Sequence, residues 1–339
     1  MRRPVAAYAG TVVDQGSPPF IGADGVRGAL SMRDAIDAIA RALPLVDADA
    51  QPARVAAPLA SGQFLLMPSE LGGVAGCKVL TVADPERAPE ATERIQGVML
   101  LFDSRTLAPR AIVDGAALTS LRTPAVSAAI ADLVTPTDAS TLAVFGTGPQ
   151  ARAHVEAMRA IRPIERVCVV GRTRGRAAAA AADWAFDDLD VQPADPSVVA
   201  RADLIVCATT AARPVLASAD VPAHATVVAI GSHEPHRREL PADLLGRSHV
   251  VVEGHRVAAT EAGDVILAIA DGTLDEARLL TARDLATGRA AVDFDRPRVV
   301  KTCGMAWQDV VVAAAVAERV GSGPAHAAPS GEPTGGTRA

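Results

Sequence analysis

Thr141-Leu-Ala-Val-Phe-Gly146-Thr-Gly148-Pro-Gln-Ala151 decides how this chain is read. Residues 142–145 form a short apolar run suited to a buried strand, and a helix is expected from about Gln150 to Ala160. The glycines between them are spaced G-x-G-x-x-A. Gly146 would make the tight turn, Gly148 would let the backbone approach a pyrophosphate, and Ala151 would take the small position where helix packs on strand. Phosphates would rest on the helix N-terminus, where unpaired N–H groups and the helix dipole favour anions. The alternative is a glycine turn used only for packing. The strand before, the helix after and a second strand at 167–170 favour a dinucleotide site.

Downstream, short apolar runs alternate with Ala-rich helices. Strands are expected at 167–170, 204–207, 227–230 and 249–252, with a helix at 175–185. Repeated strand–helix units imply a parallel sheet covered on both faces. An extended segment at 299–302 leads into a last helix at 306–320, which is expected to return to the first domain. The tail from 321 to 339 is rich in Gly, Pro, Ser and Thr and is expected to be disordered.

Upstream, Ser31 looks like a helix cap with Asp34 three residues on, followed by Ile36, Ile39, Ala40 and Leu43 at helical spacing. From about Arg54 the pattern is extended, with strands at 64–67, 78–81 and 98–102, a hairpin loop at 103–109 and a return strand at 110–113. Thr123-Pro124 is expected to open a helix, Thr as cap and Pro at the first helical position. The fold class is α/β: a Rossmann dinucleotide-binding domain over 124–302, and a smaller α+β domain made of 1–123 with 303–320.

The 339 residues are 49% hydrophobic but only 3% aromatic, so the core must be built from Ala, Val, Leu and Ile. A formal charge of −6 without a basic stripe argues against nucleic acid. No stretch reads as a membrane span, and no apolar run follows Met1-Arg2-Arg3, so a cytoplasmic protein is expected. Cys77, Cys168, Cys207 and Cys303 are far apart and lack metal-ligand spacing; they read as reduced thiols, with no metal expected.

The second strand ends in Gly171-Arg172-Thr173-Arg174. An NAD site would usually carry an acid there to accept from the ribose 2′-hydroxyl. Arg172 and Arg174 could instead clamp a 2′-phosphate. NADP(H) is therefore expected over NAD, the alternative being that the arginines are solvated surface residues.

Five stretches together resemble the ornithine cyclodeaminase/mu-crystallin family. They are Met67-Pro68 with Lys78, Thr119-Ser-Leu-Arg122-Thr123, the Gly146 turn through Gln150-Ala151, the run from Ala229 through Ile-Gly-Ser-His233 to Glu239-Leu240, and Gly304-Met-Ala306 with Asp309. The resemblance covers about residues 30–320. It implies an N-terminal substrate and dimerisation domain, a Rossmann domain, a homodimer, and hydride movement between a nicotinamide and the α-carbon of an amino or imino acid. It matches Arg54, Lys78 and Arg122 to positions that hold the substrate carboxylate. A guanidinium fork suits that task, and a desolvated lysine can trade protons. It sets the cofactor against Thr123, Gly146, Thr147, Gly148, Gln150, Ala151, Arg172, Thr173, Arg174, Thr209, Gly231 and Ser232. Gly304 through Asp309 would cap the nicotinamide side, although Asp309 could equally be a helix N-terminal acid.

Three departures stand out. His233 occupies the position of the cyclodeaminases' aspartate, Gly97 that of a threonine, and the NAD-selecting acid is absent. They favour NADPH-dependent reduction of a small cyclic α-imino acid, such as pyrroline-2-carboxylate. Lys78 and Arg122 would be catalytic, joined by His233 as proton donor or relay; His233 could equally be an exposed loop residue. The competing readings are an NAD-dependent cyclodeaminase of ornithine or lysine, an oxidative amino-acid dehydrogenase, and a non-catalytic NADP-binding dimer.

Overall fold

A computed structural model describes residues 17–84, 87, 95–184, 186 and 188–321 and arranges them around two sheets. The tail expected to be disordered lies, apart from Gly321, outside the described residues. The first lobe runs β1 (Phe20–Ile21), α1 (Ala23–Ala29), α2 (Met32–Ala42), β2 (Val55–Leu59), β3 (Gly62–Leu71), β4 (Val74–Ala83), β5 (Ile95–Asp103) and β6 (Pro109–Asp114). Its six strands lie in the order β1-β6-β5-β4-β3-β2, antiparallel except for the short β1–β6 pair. The α2 cap is as expected: Ser31 accepts from the Asp34 N–H, while the Asp34 side chain accepts from Ser31.

The sheet's two faces differ. Met67, Lys78, Met99 and Val113 stand opposite one another on successive strands β3, β4, β5 and β6, so one face carries a row of buried side chains with a single ammonium in it. The opposite face carries Val55, Leu59 and Phe64, which are 54%, 38% and 38% exposed.

The helix after β6 departs from expectation. It does not begin at Thr123-Pro124. α3 runs from Gly115 to Asp132, Asp114 caps it by accepting from the Ala117 N–H at 2.8 Å, and Pro124 sits inside. The cap stands where strand β6 ends, so the helix nucleates a strand-end earlier than the Thr-Pro pair suggests. Pro124 forgoes one intrahelical bond within a turn already buried on most sides. The boundary expected at 123/124 therefore falls within a continuous helix, and no linker separates the lobes there.

The second lobe contains β7 (Thr141–Phe145), α4 (Pro149–Ile161), β8 (Arg166–Val170), α5 (Arg174–Asp183), β9 (Asp190–Pro193), β10 (Leu204–Cys207), β11 (Thr226–Ala229), α6 (Ala242–Arg247), β12 (His249–Val252), α7 (His255–Glu261), α8 (Gly263–Ala270), β13 (Leu280–Thr281), α9 (Ala282–Ala286) and β14 (Arg298–Lys301). Its eight strands are all parallel, in the order β13-β12-β14-β11-β10-β7-β8-β9. The strand order reverses between β7 and β10. A crevice opens there at the strands' carboxyl ends, the usual ligand position in such sheets. α10 (Ala306–Gly321) then returns to the first lobe, packing on β3, β4 and α2. Gly76 admits it: a Cβ there would lie 2.4 Å from Met99 Cε and 3.2 Å from Val310 Cγ2.

Buried His154 ties α4 to α3. Its Nδ1 lies 2.7 Å from the Gln150 carbonyl, so that nitrogen carries the proton, and Nε2 accepts from the Ser127 hydroxyl at 2.9 Å. Burial lowers its pKa to about 4, which keeps the ring neutral.

Candidate active site

The glycine turn is built to bring backbone close to a ligand. Gly146 has φ +128°, and a Cβ on it would lie 2.4 Å from the Ala208 carbonyl. Ala151 is buried beneath it. Gly148 caps α4 with no side chain serving its N–H groups, and no heavy atom stands within 4 Å of the place a Cβ would occupy. Free donors face open space at a 13-residue helix, which fits a pyrophosphate.

A cleft of about 480 Å³ runs over this turn past Thr147, Gly171, Arg172 and Arg176. No acid among the described residues lines it. Arg174 does not line it either: it pairs with Asp195 at 3.3 Å and borders a separate groove. Thr173 caps α5 by accepting from the Arg176 N–H. Arg176, one helical turn in, stands where Arg174 was expected. The sequence reading overlooked it because direction is set by the helix start, and Arg174 is the first helical residue.

The cleft continues, sharing Gly148, Ala208, Thr209 and Thr210, into a second chamber of about 350 Å³. Thr119, Arg122, Thr123, Gln150, Gly231, His233, Glu253, Gly304 and Gln308 are among its walls. Gln150 contributes a buried side-chain oxygen with no hydrogen-bond partner among the described residues. Glu239, wholly buried, fixes the floor. One of its oxygens accepts from the Thr209 N–H (2.7 Å) and hydroxyl (2.6 Å), the other from the Gly231 N–H (2.6 Å). Burial pushes its pKa up to about 7 against those contacts. Ser232 is buried and donates to the Arg237 carbonyl, so it stands behind the wall rather than on it. Among the described residues, the two chambers together are acid-free at one end and carry Arg122, with Lys78 beside it, at the other. The residues present fit a nicotinamide dinucleotide.

At the cationic end, Lys78 Nζ and Arg122 Nε both donate to Asp309 Oδ1, at 3.0 and 2.8 Å. Lys78 is 1% exposed, Arg122 7% and Asp309 0%. Burial among Met67, Met99 and their neighbours brings the Lys78 pKa down to about 8, with Asp309 opposing that fall. Asp309 is itself buried, which works upward, but Arg122 and Lys78 hold it below the ordinary aspartate value. Its second oxygen has no hydrogen-bond partner among the described residues. Of the three expected carboxylate ligands, Arg122 alone lines the chamber, with Lys78 buried beside it.

Arg54 lies on the far side of Gly304. It donates to the Gly304 carbonyl at 2.6 Å, pairs with Glu261 at 2.6 Å, and borders a neighbouring cavity with Met67, Met305 and Ala306. His233 is exposed and forms part of the chamber wall. Glu253 and Gln308 also belong to the site, although the sequence reading did not single them out. The available signal for Glu253 was an acid directly after an apolar parallel strand, at the edge where such sheets bind ligands.

A doubly wound parallel sheet, a glycine turn facing open space, and a cleft ending at a buried Lys–Arg–Asp cluster define the class: a dinucleotide-dependent oxidoreductase of two lobes. The chain matches the ornithine cyclodeaminase/mu-crystallin family over residues 20–324 and belongs to it. It is 32% identical over 315 residues to a Delta(1)-pyrroline-2-carboxylate reductase from Bacillus cereus, covering 88% of this chain and 95% of that protein. It is 31% identical over 228 residues to the ketimine reductase mu-crystallin of Mus musculus, covering 67% and 71%. The Thermococcus litoralis Delta(1)-pyrroline-2-carboxylate reductase, solved with NADH and L-proline, shares the fold at a TM-score of 0.82 and 24% identity. That match covers 89% of this chain and 97% of that one.

Proposed function

We propose that the chain reduces the C=N bond of a small cyclic α-imino acid, with NADPH as the preferred cofactor, and works as a homodimer. The observation that carries the reading is Arg122. Its Nε is held by buried Asp309 while the guanidinium borders the chamber that continues from the glycine turn. A guanidinium has five N–H donors, so donors remain for a carboxylate. The relatives named for pyrroline-2-carboxylate and ketimine reduction support this substrate class.

When bound, the nicotinamide supplies hydride to the α-carbon. Arg122 holds the substrate carboxylate and so fixes the face the C=N bond presents. Lys78 stores the proton taken up at nitrogen; near neutral pH its ammonium is mostly protonated yet easily deprotonated. Lys78 is buried beside Arg122, with which it shares Asp309 Oδ1. His233, on the chamber wall, is a second candidate for the proton path. Arg54 acts through the Gly304 carbonyl rather than on the substrate directly.

Arg172 and Arg176, with no acid lining the cleft among the described residues, favour a 2′-phosphate. The apolar outer face bearing Val55, Leu59 and Phe64 suits a symmetric dimer contact. Initial rates with NADPH and NADH on pyrroline-2-carboxylate and piperideine-2-carboxylate test the function. Turnover of either imine with NADPH supports it; no turnover across a panel of ketimines, and of α-keto acids with amines, overturns it.

A further inference from the structure

We propose that Glu253 and Gln308 form a carboxylate–amide relay that sets the direction of the Arg122 guanidinium. This rests on the assignment of Arg122 to the substrate carboxylate. Glu253 directly follows β12 in the dinucleotide lobe, whereas Gln308 lies in the first turn of α10, which returns to the other lobe. Both are nearly or wholly buried.

Every contact has one sense. One Glu253 oxygen accepts from the Cys303 N–H (2.7 Å) and the Gly304 N–H (3.1 Å). The other accepts from the Gln308 amide nitrogen at 2.6 Å and, at 3.3 Å, from the Gly304 N–H, which the two oxygens share. That bond fixes which way the amide faces, because the flipped amide would turn an oxygen toward the carboxylate. The Gln308 oxygen is then left to accept from the Met305 N–H at 2.9 Å and from Arg122 Nη1 at 3.5 Å.

The same carboxylate seats Gly304 on the guanidinium. Gly304 has φ +82°, and a Cβ on it would lie 2.5 Å from Arg122 Nη1. Arg122 is thus bounded by Asp309 at Nε, Gln308 at Nη1 and the Gly304 backbone, and its open donors are directed into the chamber. Glu253 and Gln308 are positioning residues: they act through Arg122.

The pattern permits a swap. Glu253→Gln alone brings an amide N–H against either the Gln308 N–H or the backbone donors. Gln308→Glu alone sets two carboxylates face to face. Glu253→Gln with Gln308→Glu gives the Cys303, Gly304 and inter-residue donors an acceptor again: the amide oxygen at 253 accepts from Cys303 and Gly304, and one amide N–H donates to the carboxylate at 308. That carboxylate also accepts from Met305 and Arg122, and the total charge is unchanged.

The experiment measures the KM for pyrroline-2-carboxylate, kcat and NADPH affinity by fluorescence titration for the wild type, the two single variants and the swap. Each single variant is expected to raise KM about tenfold or more, the loss of one to two charge-assisted hydrogen bonds, with NADPH affinity little changed. The swap is expected to restore KM to within about threefold of wild type. Should a single variant not fold, Gln308→Met replaces it, since it removes the amide contacts without opposing like groups; it too is expected to raise KM. A swap no better than the worse single variant, an unchanged KM in the singles, or NADPH affinity falling in step with KM overturns the relay. If the wild type turns over but Arg122→Lys leaves KM unchanged, or if the wild type is inactive on imines, the underlying assignment fails and the relay with it.

Discussion

Lys78 stands in register between Met67 and Met99, and that placement sets its chemistry. Two thioether side chains deprive the ammonium of water, while Asp309 keeps it charged at neutral pH. In the reductive direction the proton donor must be protonated, so kcat is expected to fall as pH rises through about 8. The measurement is a kcat–pH profile at saturating substrate. Lys78→Gln is expected to lower kcat roughly 100-fold or more while leaving NADPH titration intact; a kcat within a few-fold of wild type would remove Lys78 from the proton path. Arg122→Lys keeps the charge but loses the fork, and a KM increase of roughly 10- to 100-fold is expected from steady-state kinetics. Lys78 drew attention in the sequence as a lysine at the start of an apolar strand, and Arg122 through the family resemblance; the structure brings both onto Asp309. The Arg54 contact was not legible. Whether an arginine meets the ligand or a backbone carbonyl depends on where Gly304 passes, some 250 residues later in the chain.

Among elements, the glycine turn was legible in full, because strand, turn and helix are contiguous and local chemistry dictates them. The α3 start was not. Thr123-Pro124 has a good cap signature, but Asp114 at the end of β6 caps first, and burial carries the helix through the proline. The β8–α5 turn shows the same limit on a smaller scale: the two arginines near the cleft are 172 and 176, because α5 begins at Arg174 and points it at Asp195. Arg172→Ala with Arg176→Ala is expected to raise the KM for NADPH about tenfold or more while that for NADH changes little. Equal changes for both cofactors in parallel assays would mean the arginines do not read the 2′-phosphate. Gly304→Ala is strained at positive φ and intrudes on Arg122. It is expected to cost substrate affinity more than NADPH affinity, measured by the same titrations.

At the scale of the molecule, the two lobes are joined by more than a hinge. α3 runs unbroken between them, His154 bonds α4 to α3, and α10 closes the loop by bringing Gln308 and Asp309 to Arg122. Chain order predicted the return of the last helix, whereas its register against Lys78 emerges only when β3, β4 and β5 are laid side by side. The outer face of that sheet is apolar where a monomer would be expected to be polar. Phe64→Glu is expected to convert a dimer to monomer in light scattering; a monomeric wild type, or a dimer indifferent to the charge, would place the interface elsewhere. The most direct test of the chemistry is the fate of the hydride. Purified protein given NADPH dideuterated at C4 and pyrroline-2-carboxylate should yield proline carrying one deuterium at the α-carbon by mass spectrometry. Unlabelled proline, or NADPH and imine both recovered intact, would contradict it.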